Sequence, residues 1–202
     1  MVAELPKEAL LRYSRQVLLP QVGHDGQRKI MDASVLIIGI GGLGSISSLY
    51  LTAAGVGRIG LVDPDRVDIS NLQRQVLYSS SMAGKLKTEA AKKRLSDLNP
   101  HCQIDTYPIR FTAENAESIA EGYDVIVDGT DNLPTRYLIN DLCVLTGRPF
   151  VFGAIDQFEG QVALFDSGSG PCYRCVFGGP PRSENMPNPA ERGVFGVLPG
   201  LV

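Results

Sequence analysis

Several clusters in this chain have the residue types and spacing to hold an anion. One is VLIIGIGGLG over Val35–Gly44. Gly39, Gly41 and Gly44 form a G-x-G-x-x-G pattern, with Gly42 inside it, after an aliphatic run and before a helical pattern. There glycine permits the turn, backbone approach to a phosphate and close helix–strand packing. Helix N-terminal amides then face the anion. The same glycines also suit a tight turn with no ligand. Asp63, about 20 residues further on at a strand end, is placed to bind ribose hydroxyls; a plain surface aspartate is the bland alternative. These two features alone favour an NAD reader.

The residues after Asp63 depart from that pattern. A dinucleotide fold proceeds from the acid to another crossover helix, whereas here the chain reads DPDRVDISNLQRQ over Asp63–Gln75. This polar stretch offers Asn71, Gln73 and Arg74 as donors beside a ribose acid. Lys87, near a helix start, could reach phosphates as a mobile point charge, although a lone lysine is usually solvated. Asp128-Gly-Thr-Asp131-Asn132 leaves a strand at the carboxyl edge, where open α/β sheets bind ligands. A carboxylate beside a polyphosphate needs a bridging cation, so Asp131 is a candidate Mg²⁺ ligand. Taken alone, Asp131 or Asn132 as a helix cap is the simpler reading. Of the four cysteines, only Cys172 and Cys175 have informative spacing.

These residues need a scaffold, and the chain alternates β-rich runs with helical patterns. That order implies an α/β fold, a Rossmann-like doubly wound and mostly parallel sheet with helices on both faces. Strands are expected at Val35–Gly39, Arg58–Asp63, Gln103–Tyr107, Tyr123–Asp128, Phe150–Ala154 and Gln161–Phe165, the last pair antiparallel. Helices are expected at Lys7–Val17, Asp25–Met31, Ser45–Ala54, Lys85–Leu98, Thr112–Glu121 with a threonine cap, and Leu133–Thr146. Pro134 fits that last helix's first turn and Gly147 its end. The chain is read as one domain over 1–202, with a Gly/Pro-rich loop region over 167–199.

Bulk properties narrow the function classes. A net charge of −3 argues against general nucleic-acid binding. No apolar run reaches the roughly 18 residues of a membrane span. The N-terminus lacks a signal peptide's basic start and apolar middle. The expectation is a cytoplasmic protein whose cysteines are thiols or metal ligands, with Cys102 and Cys143 in the sheet core.

Taken in order, RYSRQ (Arg12–Gln16), GIGGLG, DPDRVDISNLQRQ, Lys87, DGTDN, EGQV (Glu159–Val162) and CYRC (Cys172–Cys175) carry a resemblance over nearly the whole chain. The chain resembles the ubiquitin-activating-enzyme-like adenylyltransferases of the ThiF/MoeB/HesA group. The resemblance implies an enzyme that uses ATP and Mg²⁺ to adenylate the C-terminal glycine of a small ubiquitin-like sulfur carrier with a diglycine tail. Pyrophosphate leaves and the carrier is readied for thiocarboxylate formation, in thiamine or molybdopterin biosynthesis, with a lean to thiamine. By position, Gly39, Gly41, Gly42 and Gly44 cradle the nucleotide and Asp63 holds the ribose, with Asp65 beside it. Ser70, Asn71, Leu72, Gln73, Arg74 and Lys87 line the phosphates, and Asp131 is the metal-binding acid with Asn132 next to it. The resemblance makes Asp131, Arg74, Lys87 and Arg15 the catalytic set, with Arg15 reaching a neighbouring protomer's ATP in a homodimer.

Two departures stand out. The resemblance makes Cys172 and Cys175 half of the family's four-cysteine zinc site, whose other pair lies in relatives beyond the segment matching Val202; either the chain is a fragment, the favoured reading, with Zn²⁺ expected in the full-length protein, or the site is lost. A lone redox pair is the alternative. Many relatives place a cysteine where this chain has Pro189. Adenylation without an enzyme-linked thioester there is expected, with the loop Pro180–Gly193 closing over the carrier tail. Two rival readings stay open on sequence grounds: a non-catalytic carrier-binding scaffold and an NAD-dependent oxidoreductase.

Overall fold

The computed structural model describes residues 5–179 and 193–202. A six-stranded sheet has the order β3-β2-β1-β4-β5-β6, with the most aliphatic strands, β1, β2 and β4, at adjacent positions. The strands are β1 (Ser34–Ile38), β2 (Arg58–Val62), β3 (Gln103–Tyr107), β4 (Val125–Asp128), β5 (Phe150–Asp156) and β6 (Glu159–Phe165). All pair in parallel except β5 with β6, which is antiparallel. The expected doubly wound sheet is therefore present.

The helices are α1 (Lys7–Val17), α2 (Gly23–Asp32), α3 (Gly42–Ala54), α4 (Lys87–Leu98), α5 (Ala116–Ala120), α6 (Leu133–Thr146) and α7 (Tyr173–Phe177). β1 is buried on both faces, so its alternating side chains feed two cores. Leu36 and Ile38 pack with Ile126, Phe150 and Phe152, while Val35 and Ile37 pack with Ile59, Leu61 and Leu95. Each such side chain contributes about 1.5–3 kcal/mol by burial. Cys102 and Cys143 lie in these two cores, as expected, and burial pushes their thiols up to about 11 and about 12.

Some boundaries differ from the sequence reading. α3 starts at Gly42 rather than Ser45, because the glycine run is already helical and Gly41 is the N-cap. α4 starts at Lys87 rather than Lys85. The Thr112–Glu121 helix contracts to Ala116–Ala120, and the Thr112 cap is not formed. Instead the Asn115 side chain accepts from the Thr112 amide at 2.9 Å and donates to the Arg110 carbonyl at 2.8 Å, which makes a turn of that stretch. The 167–199 region holds α7 and a 3₁₀ turn at Leu198–Gly200.

Candidate functional site

The strand order reverses direction between β1 and β4, and at such a switch point the carboxyl ends of two strands open a crevice. The loops leaving these strands touch through their backbones. The Gly129 amide donates to the Ile38 carbonyl at 2.9 Å. Gly39 has φ +82, and a Cβ there would stand 2.9 Å from the Gly129 carbonyl oxygen. A Cβ on Gly44 would overlap the Gly39 carbonyl, and one on Gly129 would lie 2.6 Å from the same oxygen. These three glycines are demanded by protein packing alone. Gly41 is different: its φ is −81, and a Cβ there would meet only Gln75 Nε2, at 3.6 Å. Neither space within the protein nor a left-handed backbone requires glycine at 41. That open volume, at the N-terminus of α3, fits backbone approach by a ligand.

Asp63 directly follows β2 and is buried. Its Oδ2 accepts from the Ile40 amide at 2.8 Å and its Oδ1 from the Asp65 amide at 2.8 Å. It thereby fixes the glycine turn as well as presenting a carboxylate. Tyr78 donates from its hydroxyl to the Ile40 carbonyl at 2.9 Å, and burial raises its phenol. Lys87 is not solvated: it is buried, with Nζ 3.0 Å from Asp65 Oδ2 and 3.7 Å from Asp63 Oδ2. The Lys87 ammonium is thus held between two carboxylates, one buried and one exposed.

The polar stretch turns through a 3₁₀ segment at Ile69–Asn71 that Asp68 caps by accepting from the Ser70 amide at 2.8 Å. Ser70 also donates its hydroxyl to Asp68 at 2.6 Å, and Leu72 packs partly against the β1–β2 core. Arg74 donates to Asn71 Oδ1 at 2.9 Å, and its Cγ would be 3.7 Å from a Cβ on Gly42. Gln73 approaches the C-terminal segment, its carbonyl 2.5 Å from where a Cβ on Gly196 would be. The structure thus gathers Gly41, Gly42, Asp63, Asp65, Arg74 and Lys87, with Asn71 beside Arg74.

On the β4 side, Asn132 is the N-cap of α6, accepting from the Thr135 amide at 3.0 Å. The simpler reading of Asn132 is therefore realised. Asp131 caps nothing; it is exposed, with no hydrogen bond or ion pair among the described residues. Such a carboxylate suits a hard cation that takes its other ligands from phosphates and water. No group of three or more His, Cys, Asp or Glu able to hold a metal occurs among the described residues.

The residues that hold the Asp131 loop escaped the sequence reading. Asp128 is buried, and burial pushes its carboxyl up against the pull of Arg136 and Thr130. Arg136 Nε donates to Asp128 Oδ2 at 3.1 Å, its Nη2 to the Thr130 carbonyl at 2.9 Å, and the guanidinium lies 4.7 Å over the Phe152 ring. Thr130 returns its amide and hydroxyl to Asp128 Oδ1 at 2.9 and 2.6 Å. An arginine on the inner face of a helix, two turns after an acid-ended strand, was the available signal.

α6 also braces the CYRC turn through its side chains. Asn140 Oδ1 accepts from the Tyr173 amide at 2.8 Å, and Asp141 takes two bonds of 2.6 Å from Arg174. Cys172 and Cys175 hold their sulfurs 3.6 Å apart. Two thiolates on one tetrahedral zinc, with Zn–S about 2.3 Å, stand roughly 3.8 Å apart, so the pair fits two corners of such a site. Desolvation pushes the Cys172 thiol up, but hydrogen bonds from Cys175 and Arg174 outweigh it and hold the thiol below its ordinary value.

Arg15 is not brought to this site. Its helix α1 packs against the segments that lead into the amino ends of β2 and β3, where Tyr13 lies against Gly55 and accepts from Asn99 at 2.8 Å. Arg15 is exposed there, with no partner among the described residues. Pro189 and most of the loop expected to close over a carrier tail lie outside the described residues.

The ThiF family model matches residues 13–202, a span that takes in every element of this crevice. The chain belongs to the ThiF family. It is 54% identical over 201 residues to the sulfur carrier protein adenylyltransferase of Thermus thermophilus, covering 97% of this chain and 74% of that protein. It is 45% identical over 201 residues to the adenylyltransferase and sulfurtransferase MOCS3 of Culex quinquefasciatus, covering all of this chain but 46% of that one. Among solved structures, E. coli MccB with ATP superposes with a TM-score of 0.75 at 29% identity, over 85% of this chain and 54% of the other. The chain therefore spans about half the length of several proteins it matches. The family expectation holds, and the relatives' names are those of adenylyltransferases.

Proposed function

We propose that this chain carries the ATP site of an enzyme that adenylates the C-terminal carboxylate of a small ubiquitin-like sulfur carrier with a diglycine tail. The observation that carries this reading is the buried Lys87 between Asp63 and Asp65, set beside Gly41 and Arg74 at the β1/β4 switch point. An NAD reader needs the glycines and the ribose acid but has no use for a buried lysine and an arginine next to them. The named adenylyltransferase relatives support the same choice.

A carboxylate is a poor acyl donor until its oxygen bonds the α-phosphorus and the bond from that phosphorus to pyrophosphate breaks. Catalysis then lies in alignment and in neutralising the charge that builds on phosphate oxygens. Asp63 would take the ribose hydroxyls, and the α3 amides would face a phosphate over Gly41. Lys87 and Arg74 would leave Asp65 and Asn71 for phosphate oxygens. Asp131 would hold magnesium, which when bound screens the phosphates from one another and from the carboxylate. A zinc ion would draw on Cys172 and Cys175 for two of its four ligands.

The carrier's globular part would dock at the open β6 edge, a reading supported by exposed Phe158, Val162 and Leu164 and by the Phe158 ring lying tilted 5.7 Å from that of Phe195. A homodimer supplies Arg15 to the neighbour's nucleotide, a role supported by its distance from its own site and by exposed Leu11 and Leu18 on the same segment. The carrier supplied, of thiamine or molybdopterin type, decides the pathway.

The test is ATP–pyrophosphate exchange dependent on a diglycine-tailed carrier. Asp131→Ala should lower exchange by about 10²-fold or more while shifting stability by no more than about 0.5 kcal/mol, since the side chain is exposed and unpaired. Absence of exchange with every such carrier would sink the catalytic reading. ATP binding without exchange favours the scaffold, and tight NAD binding without ATP binding favours the oxidoreductase.

A further inference from the structure

Gln75, the last residue of the NLQRQ stretch, is buried to 4% exposure. Its backbone is fully employed: the amide donates to the Asn71 carbonyl at 2.9 Å and the carbonyl accepts from the Tyr78 amide at 3.1 Å. Its side chain has nothing. Oε1 is buried without a hydrogen-bond partner, and Nε2 has none among the described residues. Buried carboxamides are normally paired, and an unpaired one calls for an explanation.

For the donor end, the direction of the amide supplies one. Nε2 is 3.6 Å from where a Cβ on Gly41 would stand, and nothing else lies within 4 Å of that position. Gly41 is the N-cap of α3, a helix of 13 residues whose first amides open into the same space. The nearby polar groups are committed elsewhere. Asp63 accepts from Ile40 and Asp65, Tyr78 donates to Ile40, and Arg74 donates to Asn71. The free donor of Gln75 therefore points into the volume that the missing Gly41 side chain leaves open.

We propose that Gln75 is a nucleotide contact, its Nε2 donating to a non-bridging oxygen of the phosphate seated over Gly41. This rests on the ATP reading of the site. Phosphate oxygens only accept, so a ligand there satisfies the donor that the protein leaves idle. The carboxamide adds no charge. Lys87 and Arg74 supply attraction along any approach, whereas a neutral donor held on a buried side chain rewards one position of the phosphate.

The test compares Gln75→Met, which keeps the shape, with Gln75→Glu, which sets an acceptor against acceptors. Each variant of the present chain is measured for thermal unfolding without ligand and for affinity to ATP with magnesium and to adenosine. For Gln75→Met, ATP affinity should fall about tenfold, the worth of one net hydrogen bond. Its adenosine affinity should be unchanged and its unfolding midpoint equal to or above that of the parent. Gln75→Glu should weaken ATP further, by about 100-fold. ATP binding by Gln75→Met within about twofold of the parent overturns the assignment. So does an equal loss of ATP and adenosine, or a midpoint lowered by several degrees, since a packing role predicts both. A parent that binds NAD instead, weakened in the same way by Gln75→Met, overturns the ATP reading and leaves the phosphate contact standing. A parent that binds neither nucleotide overturns both.

Discussion

The two walls of the crevice are made in opposite ways. The glycine wall, from β1 through the start of α3 and across to Gly129, is held by backbone atoms too close to admit a side chain. The polar wall, from Asp63 to Lys87, is held by side chains paired with one another: Lys87 on Asp65, Arg74 on Asn71, Ser70 on Asp68. Sterics set the first wall and leave it no alternatives. Hydrogen bonds set the second, and a ligand with better acceptors can take them over. A site that must hold a nucleotide in register and follow its changing charge needs one wall of each kind.

Substitutions inside the glycine wall separate these two kinds of order. Gly44→Ala drives a Cβ into the Gly39 carbonyl, and chemical unfolding should show a loss of about 3 kcal/mol or more, with nucleotide binding lost as well. A variant that unfolds like the parent would show that the backbone contact yields easily. Gly41→Ala sits three residues away and should cost no more than about 1 kcal/mol, the scale of a glycine-to-alanine change at a helix N-cap. Its ATP affinity should nonetheless fall by tenfold or more, because the new methyl fills the ligand's space; calorimetric titration beside a melting curve checks both. Parent-like ATP binding would place the phosphate elsewhere.

The smallest effect belongs outside both walls, at the Asp141–Arg174 pair. The hydrogen bond from Arg174 holds the Asp141 carboxyl below its ordinary value, ahead of the opposing desolvation. Its stabilisation is therefore present above the unfolded value of about 3.9 and is lost as pH falls through the lower folded value. Below about pH 4, hydrogen exchange should accelerate over residues 171–178 while residues 35–44 stay protected. Asp141→Asn should reproduce this at neutral pH. Simultaneous loss of protection in both segments would mean that the walls depend on the CYRC turn.

The centre of the sheet was legible because β1, β2 and β4 are aliphatic runs that lead to Gly39, Asp63 and Asp128, and a parallel sheet buried on both faces requires such runs. The polar stretch after Asp63 was legible by composition. Three other features were not. Lys87 reads as solvated in any linear scan, and only the fold brings Asp63 and Asp65 around it. Arg136 looks like an ordinary helix charge until β4 delivers Asp128 to it. Gln75 differs from Gln73 only in burial, a property of the assembled chain. The start of α3 was misplaced because glycine is read as a breaker, whereas here it is the one residue that lets a helix begin against another backbone.

The contact between the Gly39–Gly44 turn and Gly129 has a consequence for how members of such a family can diverge. Two main chains in contact form a coupled pair of positions: a side chain gained by either loop has to be accommodated by the other, and neither has a side chain to surrender. Drift there is closed off from both sides. Change is accordingly open in the polar stretch, where a new side chain displaces another side chain and not a main chain.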